Sequence, residues 1–259
     1  MDDFSKTKIW RYMDLARFTS LLTSRSLYFA CPTELGDPYE GSVPRSYNQA
    51  LSNGLQAMLD DFVSSRRTPL VAMGADIARL DDKLATLPQR IASLLREVIS
   101  RFGVSCWQES DYESDAMWKL YSASQNGVAI ESTVEQLRSS IGNTKDLVVD
   151  RVLYADFERD GIEKGHKHYR LFMKRKSFEH EKEVRATIPL PKPGTGIAVA
   201  CDLDTLVTRV HVSPLAEKYV KDVIDALCAG SICPLNKPVH QSSLYCAPDY
   251  QANINIKTD

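Results

Sequence analysis

The chain has 259 residues, 43% hydrophobic and 25% charged, the proportions of an ordinary globular protein; disorder is excluded as the default and there is ample apolar material for a core. A formal net charge of −2 excludes the global basic field that drives non-specific binding to nucleic acid or anionic membrane. No apolar stretch approaches the roughly 20 residues needed to span a bilayer, and Met1-Asp2-Asp3 lacks the positive flank and apolar run of a signal peptide, so a cytoplasmic, unanchored chain is expected.

In chain order, Ile9 to Tyr12 reads as a short strand, and Leu15, Phe18, Leu21 and Leu22 follow at helical spacing. Ser26 to Ala30 reads as a second strand, stopped by Cys31-Pro32 and followed by a turn at Gly36-Asp37-Pro38. From about residue 46 to 102 the pattern is helical, which predicts an inserted helical lobe broken at Thr68-Pro69 and Leu87-Pro88, because proline disfavours helix in the residue before it. Strands are predicted at Gly103 to Trp107, Gly127 to Glu131 and Leu147 to Tyr154, with helices over Ser114 to Tyr121 and through Val134, Leu137 and Ile141. A basic helix is expected from about Ile162 to Arg175. Strands at Glu183 to Pro189, Gly196 to Cys201 and Val207 to Val212 follow, then an amphipathic helix from Leu215 to Cys228 and a last strand near Val239 to Tyr245. Single helices between strands, without a strict βαβ rhythm, predict one α+β domain over 1–259 with a mixed, mostly antiparallel sheet, flanking helices and the helical insertion. There is no G-x-G-x-x-G and no G-x-x-x-x-G-K-[ST], which disfavours a Rossmann dehydrogenase and a P-loop NTPase.

The densest chemical signal is Glu179-His180-Glu181-Lys182-Glu183-Val184-Arg185. In an extended segment Glu181, Glu183 and Arg185 share one face, and paired carboxylates relieved by a guanidinium suit general-base work or the orientation of a hydroxyl. A solvated, self-paired sheet edge and a continuation of the preceding helix are the plain alternatives. Arg11, between Trp10 and Tyr12, reads as a phosphate fork or as an edge residue covered by rings. Asp37-Pro38-Tyr39-Glu40 is an acidic turn in which Asp37 caps backbone. Asp115, Trp118 and Tyr121 lie on one side of a short helix, as core or as the floor of a pocket for a flat ring. The run His166, Lys167, His168, Arg170, Lys174, Arg175, Lys176 reads as a solvated helix face, or as a local patch for nucleic acid. The six cysteines, Cys31, Cys106, Cys201, Cys228, Cys233 and Cys246, lack the close pairing of a zinc site; reduced thiols and no metal are expected, with Cys106 buried rather than nucleophilic. A metal-dependent nuclease using Asp37, Glu40, Glu181 and Glu183 as magnesium ligands stays open.

Taken in order, Trp10-Arg11-Tyr12, Leu27 to Pro32, Gly36 to Glu40, Val104-Ser105-Cys106-Trp107, Met117 to Tyr121, Gly127 to Ile130 and Lys176 to Arg185 resemble the bacterial domain of unknown function 2971. Two departures stand out: the family's Phe-Asn-Asp-Pro is Leu35-Gly36-Asp37-Pro38 here, and its Cys-Phe-Ser is Cys106-Trp107-Gln108, which loses a hydroxyl. The layout is also similar to ADP-ribosyltransferase-like toxins. That resemblance implies an NAD-using enzyme, a toxin or anti-phage effector, with Arg11 on the phosphates and Tyr12, Trp118 or Tyr121 on the nicotinamide. It further implies Glu183 stabilising the ribosyl cation, Glu181 positioning a protein or nucleic-acid acceptor, and Arg185 at the cofactor; a non-catalytic nucleotide-binding module is the rival. Oligomeric state is left open.

Overall fold

The computed structural model describes residues 3–74, 76, 82, 86–121, 126–142, 144, 146–161, 168–230 and 234–248. The elements are β1 (Lys8–Asp14), α1 (Leu15–Ser24), β2 (Ser26–Phe29), α2 (Arg45–Ala72), α3 (Leu87–Ser100), β3 (Phe102–Glu109), α4 (Asp115–Tyr121) and β4 (Gly127–Thr133). They continue with α5 (Val134–Ser140), β5 (Val148–Arg151), β6 (Leu153–Ala155), β7 (Met173–Arg175), β8 (Glu183–Pro189), β9 (Ile197–Ala200), α6 (Leu203–Leu206), β10 (Arg209–Val212), α7 (Lys218–Ala229) and β11 (Val239–Gln241). Seven strands form one sheet in the order β11-β10-β4-β1-β3-β8-β5, antiparallel throughout except for β10 with β11. With helices packed against it, the architecture is α+β with a mixed, mostly antiparallel sheet, as the sequence pattern predicts.

Local chemistry sets the element ends. The Asp14 carboxylate accepts the Arg17 N–H at 2.7 Å and opens α1, and the Thr133 hydroxyl accepts the Gln136 N–H at 3.2 Å to open α5. The main core lies on one sheet face, where Ile9, Met13, Trp107, Val128, Ile130, Val184, Ala186 and Val210 meet Phe18 and Leu22 of α1, Leu137 of α5 and Ile224 of α7. On the opposite face Trp10, Tyr12 and Ala129 pack against Met117 and Trp118 of α4.

Four expectations change. The helix α2 runs through Pro69 to Ala72 instead of breaking at Thr68, because only one further turn follows and few backbone bonds are forfeited. The extended run predicted over Leu147 to Tyr154 divides at Val152 into β5 and β6. Over the described part of the predicted basic helix there is a 3-10 turn, Tyr169–Leu171, followed by β7, which pairs in parallel with β6; residues 162–167 lie outside the described residues. The last strand stops at Gln241.

One irregularity in the sheet creates the space for a site. Strand β1 pairs with β4 over seven positions, but with β3 only at Ile9↔Glu109 and Trp10↔Gln108. Beyond Trp10 the two strands part, and the freed edge of β3 is met by Ala30, whose N–H and C=O both bond Val104. Gly103 permits that approach: a Cβ there would stand 2.9 Å from Phe29 Cβ and from Leu190 Cδ2.

Candidate active site

The opening between β1 and β3 is a cavity of about 770 Å3, within the range of small-molecule and cofactor sites. Arg11, Asp37, Glu40, Tyr121, Glu181, Glu183 and Arg185 all contribute to its wall. The register places them on two sides. Arg11 shares the core face with Ile9 and Met13, whereas Gln108, Cys106, Glu183 and Arg185 share the opposite face, as paired positions of β3 and β8 require. Only the parting of β1 from β3 lets both sets border one space.

The acidic wall is built around Arg185, which is fully buried. Its Nε donates to Glu183 Oε1 at 2.6 Å and its Nη2 to Glu183 Oε2 at 3.2 Å and Glu40 Oε2 at 3.1 Å. Its Nη1 donates to Glu40 Oε1 and, at 2.7 Å, to the Leu171 carbonyl. All five N–H groups are thereby engaged by protein acceptors. Arg185 has no donor left for a ligand, which corrects its expected place at the cofactor: it positions Glu183 and Glu40.

Glu181 reaches the same wall by another route. It ends a 3-10 turn (Lys176–Glu181) rather than lying in a strand with Glu183, and Lys182 between them adopts a left-handed φ of 41°. That turn brings both carboxylates onto Lys174 Nζ, which donates to Glu181 Oε2 and, at 3.3 Å, to Glu183 Oε2. Alongside, Arg175 Nη2 donates to Asp37 Oδ1 at 2.7 Å while its guanidinium stacks on Tyr39, 4.2 Å from the ring centroid. Asp37 also caps the turn by accepting the Tyr39 N–H at 3.0 Å. The solvated face expected for Lys174 and Arg175 is therefore corrected: Lys174 lines the cavity, and Arg175 is drawn onto Asp37 at its edge.

Burial on its own raises the Glu183 pKa, but Arg185, Lys174 and a hydrogen bond from Cys106 outweigh it and carry the group down from 4.5 to about 2. A depressed carboxylate contributes stability that is complete above its unfolded value and is lost as pH falls through the folded one. We expect a contribution on the order of 3 kcal/mol, present above about pH 4.5 and disappearing toward pH 2. Urea unfolding from pH 7 down to pH 3 should fall less steeply for Glu183→Gln than for the wild type; parallel curves would contradict this.

Arg11 presents the opposite electrostatic case. Its Nη1 donates to Ser105 Oγ and its Nη2 to the Tyr28 carbonyl at 3.4 Å, and its guanidinium lies 5.7 Å from the Trp107 ring centroid. Among the described residues no carboxylate lies within ion-pair distance of it. Burial pushes its pKa down, with the Cys106 thiol opposing and Arg17 adding repulsion. Arg17, ion-paired with Asp14 at 3.6 Å, borders the cavity as well, so two cations line a space with no protein anion among the described residues directly against Arg11.

The aromatic expectations divide. Trp118, 3% exposed, meets Tyr12 edge-on at 5.0 Å, donates from Nε1 to Glu113 at 2.9 Å and does not border the cavity, so it is core and not a stacking platform. Tyr12 borders the cavity, but its ring belongs to the same cluster and its hydroxyl accepts the Ser114 N–H at 2.8 Å. Tyr121, 41% exposed, remains available, and burial with the nearby Glu181 raises its pKa to about 12. Cys106 is held as a neutral thiol, since burial and the Glu183 carboxylate push its pKa well up. His211 pairs with Glu131 at 3.3 Å away from the cavity, and His166 lies outside the described residues.

Asp37, Glu40, Glu181 and Glu183 each face a protein cation. Among the described residues no group of three or more His, Cys, Asp or Glu is arranged to hold a metal ion, and no helix is long and apolar enough to cross a membrane. Residue patterns placed Lys174 only in the basic run, not beside Glu181 and Glu183, and did not mark Gln108 as a cavity residue. A cation seven residues before Glu181 was the available signal for the first; for the second there was none. No protein-family model, curated protein or solved structure matches the chain.

Proposed function

We propose that the chain is an ADP-ribosyltransferase-like enzyme that takes NAD as substrate, a toxin or anti-phage effector in class. The observation that carries this reading is that one cavity is bordered both by the guanidinium of Arg11, which has no carboxylate within ion-pair distance among the described residues, and by the Glu181–Glu183 pair. Arg11, with Arg17 beside it, offers charge and donors to a pyrophosphate. Glu183, with its pKa near 2, is a poor base but a permanent anion, suited to a positive charge developing on a ribosyl C1′. In the acidic wall four carboxylates, Asp37, Glu40, Glu181 and Glu183, face three cations, Lys174, Arg175 and Arg185, which leaves one net negative charge at that end. In the transfer the bond from C1′ to the nicotinamide nitrogen breaks, the electron pair leaves with nicotinamide, and an acceptor hydroxyl or amine attacks C1′ and releases its proton to solvent water. Glu181, at the end of its turn, orients that acceptor, a protein or nucleic acid.

Nicotinamide release from NAD by the wild type and by Glu183→Gln tests the reading. A loss of about a hundredfold or more is expected, the scale of a removed transition-state electrostatic contact, with the variant still folded by circular dichroism. Undiminished turnover in Glu183→Gln rejects the role assigned to that acid. The second reading, a non-catalytic nucleotide-binding module, is favoured by the pairing of all four carboxylates with protein cations. NAD that raises the melting temperature without being consumed would support it.

A further inference from the structure

Gln108 is 4% exposed and borders the cavity, and its amide oxygen Oε1 has no hydrogen-bond partner among the described residues. A buried polar atom without a partner is destabilising and is retained where something outside the resting protein completes it. Its location is specific. Gln108 is the last residue of β3 to pair with β1 before the strands part, so its side chain stands at the apex of the opening. It is also the register partner of Glu183 on β8 and shares that residue's face of the sheet. At this point the buried, unpartnered amide oxygen of Gln108 stands across the strand pair from the Glu183 carboxylate, whose oxygens already accept from Arg185 and Lys174, and the amide adds its own N–H donors.

We propose that Gln108 recognises a planar group carrying neighbouring donor and acceptor atoms, the chemistry shared by the carboxamide of nicotinamide and the amino edge of adenine. The proposal rests on the dinucleotide reading given above. A primary amide satisfies Oε1 through its NH2 group and accepts from Nε2 in return, whereas a ribose hydroxyl meets only one of the two. A carboxylate in the same place would set acceptor against acceptor beside the Glu183 anion, so the position rejects a deamidated ring.

The test compares NAD with nicotinic acid adenine dinucleotide, which lacks the carboxamide, and with nicotinamide hypoxanthine dinucleotide, which lacks the adenine amino group. Each is titrated calorimetrically into the wild type and into Gln108→Leu. The wild type is expected to bind one analogue about tenfold or more weakly than NAD, and which analogue it is identifies the end that Gln108 reads. Gln108→Leu should lose that preference while its ligand-free melting temperature holds or rises, because the unpaired amide is gone. A merely structural glutamine gives the reverse, a lowered melting temperature with the preference intact, and that outcome overturns the proposal. So does a wild type that does not discriminate. Discrimination that persists in Gln108→Leu overturns the proposal and leaves the dinucleotide reading standing; if none of the three dinucleotides binds the wild type, the dinucleotide reading falls and the proposal falls with it.

Discussion

Arg185→Leu is expected to lower the folding free energy by about 3–5 kcal/mol, the cost of breaking a buried ion-pair network by removing one partner. The side chains of Glu40 and Glu183 are 4% and 5% exposed, and Arg185 supplies two contacts to each. Without it Glu40 keeps no cation within ion-pair distance among the described residues, and Glu183 keeps only Lys174 at 3.3 Å. A loss of this size is a large share of the roughly 5–15 kcal/mol of an ordinary domain, so the urea midpoint should fall well below that of the wild type. The Leu171 carbonyl also loses its donor. Glu40→Leu introduced together with Arg185→Leu should recover part of the loss, since it removes the acid left stranded. A change under about 1 kcal/mol, the scale of an exposed salt bridge, would mean that the network is not the framework of the acidic wall.

The sheet was legible because its strands announce themselves locally. Glu183 to Pro189 alternates and includes Val184, Thr187 and Ile188, and Gly127 to Ile130 is an apolar run opening the strand expected over Gly127 to Glu131; both are strands, the second continuing to Thr133. The run from Tyr169 to Arg175 misleads for a non-local reason. Its charged residues have good helix propensity, but β7 is held by parallel pairing to β6 some twenty residues earlier, and by Glu181 and Asp37 drawing in Lys174 and Arg175. Alternation along a strand was enough to place Glu183 and Arg185 together. The same rule reached Glu181 only by coincidence, because the left-handed Lys182 and not a continuous strand turns it toward Lys174. Trp118 and Tyr121 share a helix side, and spacing alone gave no means of telling which ring packs under β1 and which stays open. The importance of Gln108 depends on where two strands stop pairing, and single-residue pattern carries no record of that.

Arg11→Met is expected to separate binding from stability. The guanidinium is desolvated without a carboxylate, and Ser105 Oγ keeps a second donor in Trp107 Nε1 at 3.1 Å, so an apolar chain of similar length should leave stability unchanged or higher. The same substitution removes the donors facing the cavity from the core side. A ligand diphosphate should lose charge-assisted hydrogen bonds worth about 1.5–3 kcal/mol, a weakening of roughly tenfold to more than a hundredfold.

Calorimetric titration of ADP-ribose into the wild type and Arg11→Met asks whether Arg11 and the acids across the gap serve one bound molecule. Saturable binding to the wild type that drops at least about tenfold in the variant, with an unchanged or raised melting temperature, is the predicted result. Equal affinity in the two proteins, or a variant that binds poorly only because it has unfolded, would contradict it.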